Sequence, residues 1–180
     1  KLGPVSRRLR TFAREVIIHT GQHRDPALSD LFFRELRLPR PDVNLGVSGG
    51  SPGLQVGRMM VKLEPVLRRL KPDLALVYGD TNSTLAGALT AAGLRIPVAH
   101  VEAGLRSGDR TMTEEINRVA ADRVSSLLFC PTRTAVLNLH REGIRDGVHL
   151  SGDVMLDALL AATPQAARRL PACLARYHLR

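Results

Sequence analysis

The sequence has no tryptophan, and aromatic residues make up only 3% of its 180 positions. Base-stacking platforms for single-stranded nucleic acid need exposed rings along a basic groove, and this chain has few rings to offer. The formal charge is +9, yet it contains only three lysines, Lys1, Lys62 and Lys71, and its arginines are scattered along the whole length. No long block of like charges forms a basic arm, so nucleic acid is not an expected partner. A small phosphorylated anion suits the charge equally well. No run of roughly 18 apolar residues is present, so no membrane partner is expected. The opening segment KLGPVSRRLRTF lacks the apolar centre of a signal peptide. Cys130 and Cys173 show no CxxC spacing and no accompanying histidine pattern, which points to a reduced, cytoplasmic setting. There is no DxD pair or histidine cluster to suggest a metal. The fingerprints GxxxxGK[ST] and GxGxxG are absent, and no cofactor is expected.

What remains is an ordinary globular composition, 44% hydrophobic and 24% charged, at the length of one domain. Short apolar runs alternate with helical patterns. Glu15–Thr20, Asp42–Leu45, Asp73–Gly79, Pro97–Val101, Leu127–Cys130 and Val148–Leu150 read as strands. Between and after them, Pro26–Leu36, Leu54–Leu70, Thr81–Ala92, Glu114–Ser125, Thr132–Glu142 and Asp153–Ala162 read as helices. Leu54, Met59, Leu63, Val66, Leu67 and Leu70 recur at helical spacing and form a packing stripe. Strands that are apolar throughout and separated by helices predict a doubly wound parallel α/β sheet covered on both faces. Ligands of such sheets bind at the carboxyl ends of the strands.

That rule picks out three acids. Asp80 follows the strand ending at Gly79, Glu102 follows the strand ending at Val101, and Glu114 opens the next helix. All three are expected at one edge of the sheet. Purely structural roles compete for each. Asp80-Thr81 would serve as a helix cap, and Thr111 with Glu114 has capping-box spacing. Glu114 and Arg118 stand at the i,i+4 separation of an ion pair, and Glu102 lies close to Arg106. Glu115 should point about 100° around the helix from Glu114, away from the site. Ser48–Gly53 reads as a flexible loop rather than a phosphate cradle. Gln22-His23-Arg24 follows a strand and is either a ligand contact or a helix-entry turn. No serine or cysteine sits in a nucleophile elbow.

Five motifs then carry a resemblance. They are Thr20–Arg24 (TGQHR), Tyr78–Thr84 (YGDTNST), His100–Arg106 (HVEAGLR), Glu114–Arg118 (EEINR) and Gly152–Ala158 (GDVMLDA). In order and spacing they resemble the non-hydrolysing UDP-N-acetylglucosamine 2-epimerases over nearly the whole chain. The resemblance implies one Rossmann-like lobe of a two-lobe fold of the GT-B glycosyltransferase type. Residues 1–162 would be the amino-terminal lobe without its first strand, and 163–180 a linker or helix toward a nucleotide-binding lobe. Lys1–Val5 resembles the tail of a segment that follows that first strand.

The resemblance further implies a UDP-sugar partner, a homodimer at full length, and Asp80, Glu102 and Glu114 as the acid–base groups. Lys1, Arg106 and Arg118 would meet the diphosphate or hold the acids, and Gln22 and His23 would touch substrate. The isolated chain would be inactive. Departures from the family pattern are Thr113 before the paired glutamates and Arg123 in the following helix. Asp25 and Ser51 stand where activator-binding members carry a polar residue and an arginine, which argues against allosteric activation. A related glycosyltransferase lobe and a non-catalytic binding domain are the alternative readings.

Overall fold

A computed structural model describes residues 1–22, 30–35 and 38–179. The element order is α1 (Leu2–Leu9), β1 (Ile18–His19), α2 (Asp30–Glu35), β2 (Val43–Asn44), α3 (Pro52–Leu70), β3 (Ala75–Tyr78) and α4 (Asn82–Gly93), followed by β4 (Val98–Val101), α5 (Thr113–Val124), β5 (Leu127–Cys130), α6 (Arg133–Arg141), β6 (Val148–Leu150) and α7 (Val154–Arg176). All described strand pairs are parallel. Parallel sheets with flanking helices make this a Rossmann-like α/β fold, as expected.

The expected single sheet is divided in two. β3-β4-β5-β6 form one sheet, and β1-β2 form another. β1 commits its carbonyls to the segment after β2: Leu45 N–H donates to His19 O at 2.8 Å and Val47 N–H to Thr20 O at 2.8 Å. Gly21 then turns the chain at φ +84°, with an added Cβ only 2.9 Å from the Gly46–Val47 backbone. No described strand pairs with the outer edge of β3.

Among the described residues, hydroxyl caps start three helices. Ser51, Thr81 and Thr132 accept the backbone N–H of Leu54, Thr84 and Ala135, each cap contributing about 1 kcal/mol. The Ser48–Gly53 stretch is therefore the entry to α3. Met59, Leu63 and Leu67 of α3 and Ala86, Ala88 and Ala91 of α4 form the larger core with Val77 and Val98. A second cluster joins Leu128 and Cys130 of β5 to Ala135 and Leu139 of α6. Fully burying side chains the size of Met59 or Leu128 contributes about 1.5–3 kcal/mol each.

The chain ends depart most from expectation. α1 was not anticipated; its Pro4 lies in the first turn, where proline costs no intrahelical bond. α7 does not stop at Ala162 but continues through Pro164 and Pro171 to Arg176, and it buries none of its residues. No described helix is long and apolar enough to cross a membrane.

Candidate functional site

β3 and β4 end side by side, with Tyr78 registered against Val101. Gly79 N–H extends the ladder to Val101 O at 3.0 Å, and a left-handed turn at Gly79 (φ +66°) then delivers Asp80. Thr81, not Asp80, caps α4. The Asp80 carboxylate instead pairs with Arg118 of α5. Its backbone carbonyl accepts from Asn117 Nδ2 at 3.0 Å. The same amide donates to Asn82 Oδ1 at 3.0 Å, and Asn82 in turn donates to Gln55 at 2.7 Å. Side chain and backbone of Asp80 are thus held by consecutive residues of one helix.

Glu102 begins the turn after β4 at φ +75°, a conformation L residues seldom adopt. Such a residue costs of order 1–3 kcal/mol and persists only where its surroundings over-determine it. Here Glu102 N–H and Ala103 N–H both donate to Phe129 O, at 3.0 and 3.1 Å. The carboxylate pairs with Lys1 and lies over Gly79, where an added Cβ would stand 2.6 Å from Lys1 Nζ. The Asp80 and Glu102 side chains remain 29% and 19% exposed, so both reach solvent. Two carboxylates at adjacent strand ends, each paired with a cation and open to solvent, are suited to removing or delivering a proton.

Glu114 is exposed in the first turn of α5 and has no hydrogen-bond or ion-pair partner among the described residues. Neither structural role considered for it is realised. Thr111 donates its hydroxyl to Asp109 at 2.6 Å rather than capping the helix, and Arg118 turns to Asp80 and Glu115. A carboxylate at a helix amino terminus is favourably placed in the dipole field. Glu115, expected to face away, points inward and is 4% exposed. It accepts from Ser107 N–H (3.0 Å), Ser107 Oγ–H (2.9 Å), Gly108 N–H (3.1 Å) and Arg118 (2.7 Å). Burial pushes its carboxyl up, but the Ser107 and Gly108 hydrogen bonds and the Arg118 charge outweigh that and hold it down at about 2.

The remaining sequence-derived residues divide. Arg106 does not pair with Glu102. It forks onto Glu142 (2.6 and 2.7 Å) and also donates to Asp122 at 2.7 Å. Gln22 accepts from Ser83 N–H (3.1 Å) and Ser83 Oγ–H (2.7 Å), tying β1 to the start of α4. His23 lies outside the described residues. A shallow apolar groove beside α3, lined by Val47, Leu54, Gly57 and Val61 among others, contains none of the three acids. Among the described residues no group of three or more His, Cys, Asp or Glu stands close enough to hold a metal ion.

Residues missed from the sequence are those beneath the acids: His100, Asp122, Asn117, Glu115 and Glu142. A signal existed for two of them. Glu115 and Asp122 are seven apart, hence on one face of α5, and that face turns out to be the buried one.

Comparison with known proteins agrees with this geometry. The model of the UDP-N-acetylglucosamine 2-epimerase family matches residues 7–178. A UDP-N-acetylglucosamine 2-epimerase homolog of Methanococcus maripaludis is 56% identical over 162 residues, 90% of this chain and 45% of that protein. The UDP-2,3-diacetamido-2,3-dideoxy-D-glucuronate 2-epimerase of Pseudomonas aeruginosa is 52% identical over 149 residues, 81% of this chain and 42% of its own length. The crystal structure of Methanocaldococcus jannaschii UDP-GlcNAc 2-epimerase in complex with UDP-GlcNAc and UDP superposes with a TM-score of 0.91 at 48% identity, covering 93% of this chain and 47% of that one. The chain spans a little under half the length of these proteins.

Proposed function

This chain belongs to the UDP-N-acetylglucosamine 2-epimerase family, and on that premise we propose that it is the acid–base lobe of a longer, non-hydrolysing epimerase. The observation that carries the reading is the pairing of Asp80 with Arg118 and of Glu102 with Lys1 at adjacent strand ends. The longer enzyme interconverts UDP-N-acetylglucosamine and UDP-N-acetylmannosamine. The hydrogen on C2 of such a sugar is not next to a carbonyl and is not appreciably acidic. Breaking the C1–O bond first, with its electron pair leaving on UDP, gives C1 oxocarbenium character. A carboxylate then takes the C2 proton, and the C2–H electrons form the double bond of 2-acetamidoglucal. UDP adds back at C1 while a proton is delivered to the opposite face of C2.

Asp80 acts as a base, with Glu102 and Glu114 as the other acid–base groups, and the carboxylates also stabilise the cationic ring. Lys1 and Arg118 pair with the acids and would meet the diphosphate. Arg106 acts from behind the site. Gln22 follows β1 toward the start of α4, and Gln22 and His23 would touch substrate. The isolated chain is inactive, because the contacts that orient UDP lie in the other lobe. Two free cysteines, Cys130 and Cys173, fit a cytoplasmic setting. The completed enzyme is a homodimer that serves cell-envelope polysaccharide synthesis.

A second substrate is favoured by one observation, the 52% identity to the Pseudomonas aeruginosa enzyme. UDP-2,3-diacetamido-2,3-dideoxy-D-glucuronate would undergo the same elimination and re-addition. The test is to incubate the completed enzyme in D2O with each sugar nucleotide. Interconversion with deuterium entering at C2 is expected for the true substrate. Asp80→Asn, Glu102→Gln and Glu114→Gln should each lower turnover by roughly 10²–10⁴-fold. Absence of epimerisation with both substrates, or epimerisation without deuterium at C2, would overturn the proposal.

A further inference from the structure

His100 is fully buried, on a strand whose other residues are Val98, Ala99 and Val101. A buried imidazole must account for both ring nitrogens. Its Nδ1 lies 2.7 Å from Asp122 Oδ1, and its Nε2 lies 2.6 Å from the backbone carbonyl of Gly79. The carbonyl can only accept. Asp122 carries the proton acceptor's burden as well: its Oδ2 accepts from Arg106 at 2.7 Å and from Gly104 N–H at 3.1 Å. A carboxylate facing a guanidinium and a backbone N–H is ionised and has no proton to give. A neutral imidazole would therefore aim a lone pair at one of two acceptors.

We infer that His100 is held as an imidazolium and is a positioning residue for Asp80, clamping the Gly79–Asp80 corner from below. The charges around it balance. Arg106 and His100 are the cations, Asp122 and Glu142 the anions, supplied by the loop after β4, by β4, by α5 and by the end of α6. The neighbouring thiol of Cys130, on β5, is pushed up to about 11 by burial and then by the Asp122 charge, so it stays neutral. His100 holds the carbonyl of Gly79, Asn117 the carbonyl of Asp80, and Arg118 its carboxylate. Three successive groups of this corner thereby answer to α5, the first of them through His100 and Asp122. Since His100 is inaccessible to any ligand, its effect on chemistry runs through the corner alone.

The inference rests on the epimerase reading for its catalytic consequence, but its structural content can be measured on the chain itself. With histidine labelled by 15N, and His100 assigned by its loss in His100→Gln, both ring nitrogens should carry protons at pH 7. An unprotonated nitrogen at His100 overturns the inference. In His100→Gln the backbone amide resonances of Gly79 and Asp80 should shift or broaden, and unchanged resonances in the folded variant would equally refute it. In the completed enzyme the same variant should lose tenfold or more in kcat with KM within about twofold. A purely structural histidine would lower the melting temperature and leave kcat of the folded fraction intact. If the wild-type completed enzyme epimerises nothing, the functional reading fails, while the two resonance measurements still decide whether the clamp exists.

Discussion

Replacing Glu115 by glutamine removes a charge from a carboxylate that accepts four hydrogen bonds. The glutamine carbonyl can take over the oxygen that accepts from Ser107 and Arg118, as a neutral acceptor. Its NH2 must then occupy the position of Oε1, where Gly108 N–H points in at 3.1 Å. Donor faces donor, and one buried backbone N–H loses its partner. An unsatisfied buried donor costs about 1–3 kcal/mol, and a hydrogen bond to a charged group is worth roughly 1.5–3 kcal/mol against about 1 for a neutral one. Arg118 keeps Asp80, so only part of its pairing is lost. Together these place the destabilisation at about 2–4 kcal/mol, or roughly 5–15 °C in melting temperature for a chain of this size.

Denaturant titration at several pH values separates this account from others. The Glu115 carboxyl lies at about 2 in the folded chain against an ordinary value of 4.5. Its contribution is therefore fully present above pH 4.5 and fades as pH falls toward 2. Wild type and Glu115→Gln should differ most near neutrality and converge between pH 4.5 and 2. A difference under about 0.5 kcal/mol at pH 7, or one that stays constant down to pH 2, would show that the Ser107–Gly108 loop does not depend on the carboxylate.

Glu102→Gly should relieve the left-handed strain while losing the Lys1 ion pair, so its stability should stay within about 1 kcal/mol of wild type even though turnover of the completed enzyme collapses; thermal melts and an epimerase assay read the two effects, and a loss of several kcal/mol would contradict the strain argument. Gly147→Ala is the converse, because an added Cβ would stand 2.0 Å from Ser126 O at φ +70°: left-handed strain of about 1–2 kcal/mol adds to a backbone collision, so stability should fall sharply while the folded fraction of the completed enzyme turns over normally. The outer edge of β3, which no described strand covers, should promote association of the isolated chain, and a monodisperse monomer by light scattering at high concentration would count against that.

Much of the fold was legible because the cues are local. Apolar runs bounded by glycine and proline marked β3, β4 and β5, and hydroxyl residues before helical patterns marked the starts of α4 and α6. The strand-end rule then put Asp80 and Glu102 at one edge with no structure in hand. At the two chain ends, proline conceals helix from local cues. Pro4 lies in a first turn that tolerates it, and Pro164 and Pro171 lie within a helix that continues past both. Short β1 and β2 were over-extended, since β-branched residues such as Val16 and Ile17 suit a strand without guaranteeing a pairing partner.

By itself, then, the sequence determined the α/β alternation, the family motifs and the edge on which Asp80 and Glu102 stand. Only the tertiary structure decided which charge meets which. Arg118 lies four residues from Glu114, yet pairs with Asp80, 38 positions away. Arg106 passes over Glu102 for Glu142, 36 positions away, and His100 finds Asp122 across 22. The physical reason is that an exposed helical ion pair is worth only a few tenths of a kcal/mol, whereas a buried carboxylate left without a donor costs several. Buried Glu115 and Asp122 therefore claimed the donors nearest in space, whether three positions away, as Arg118 is from Glu115, or 22, as His100 is from Asp122.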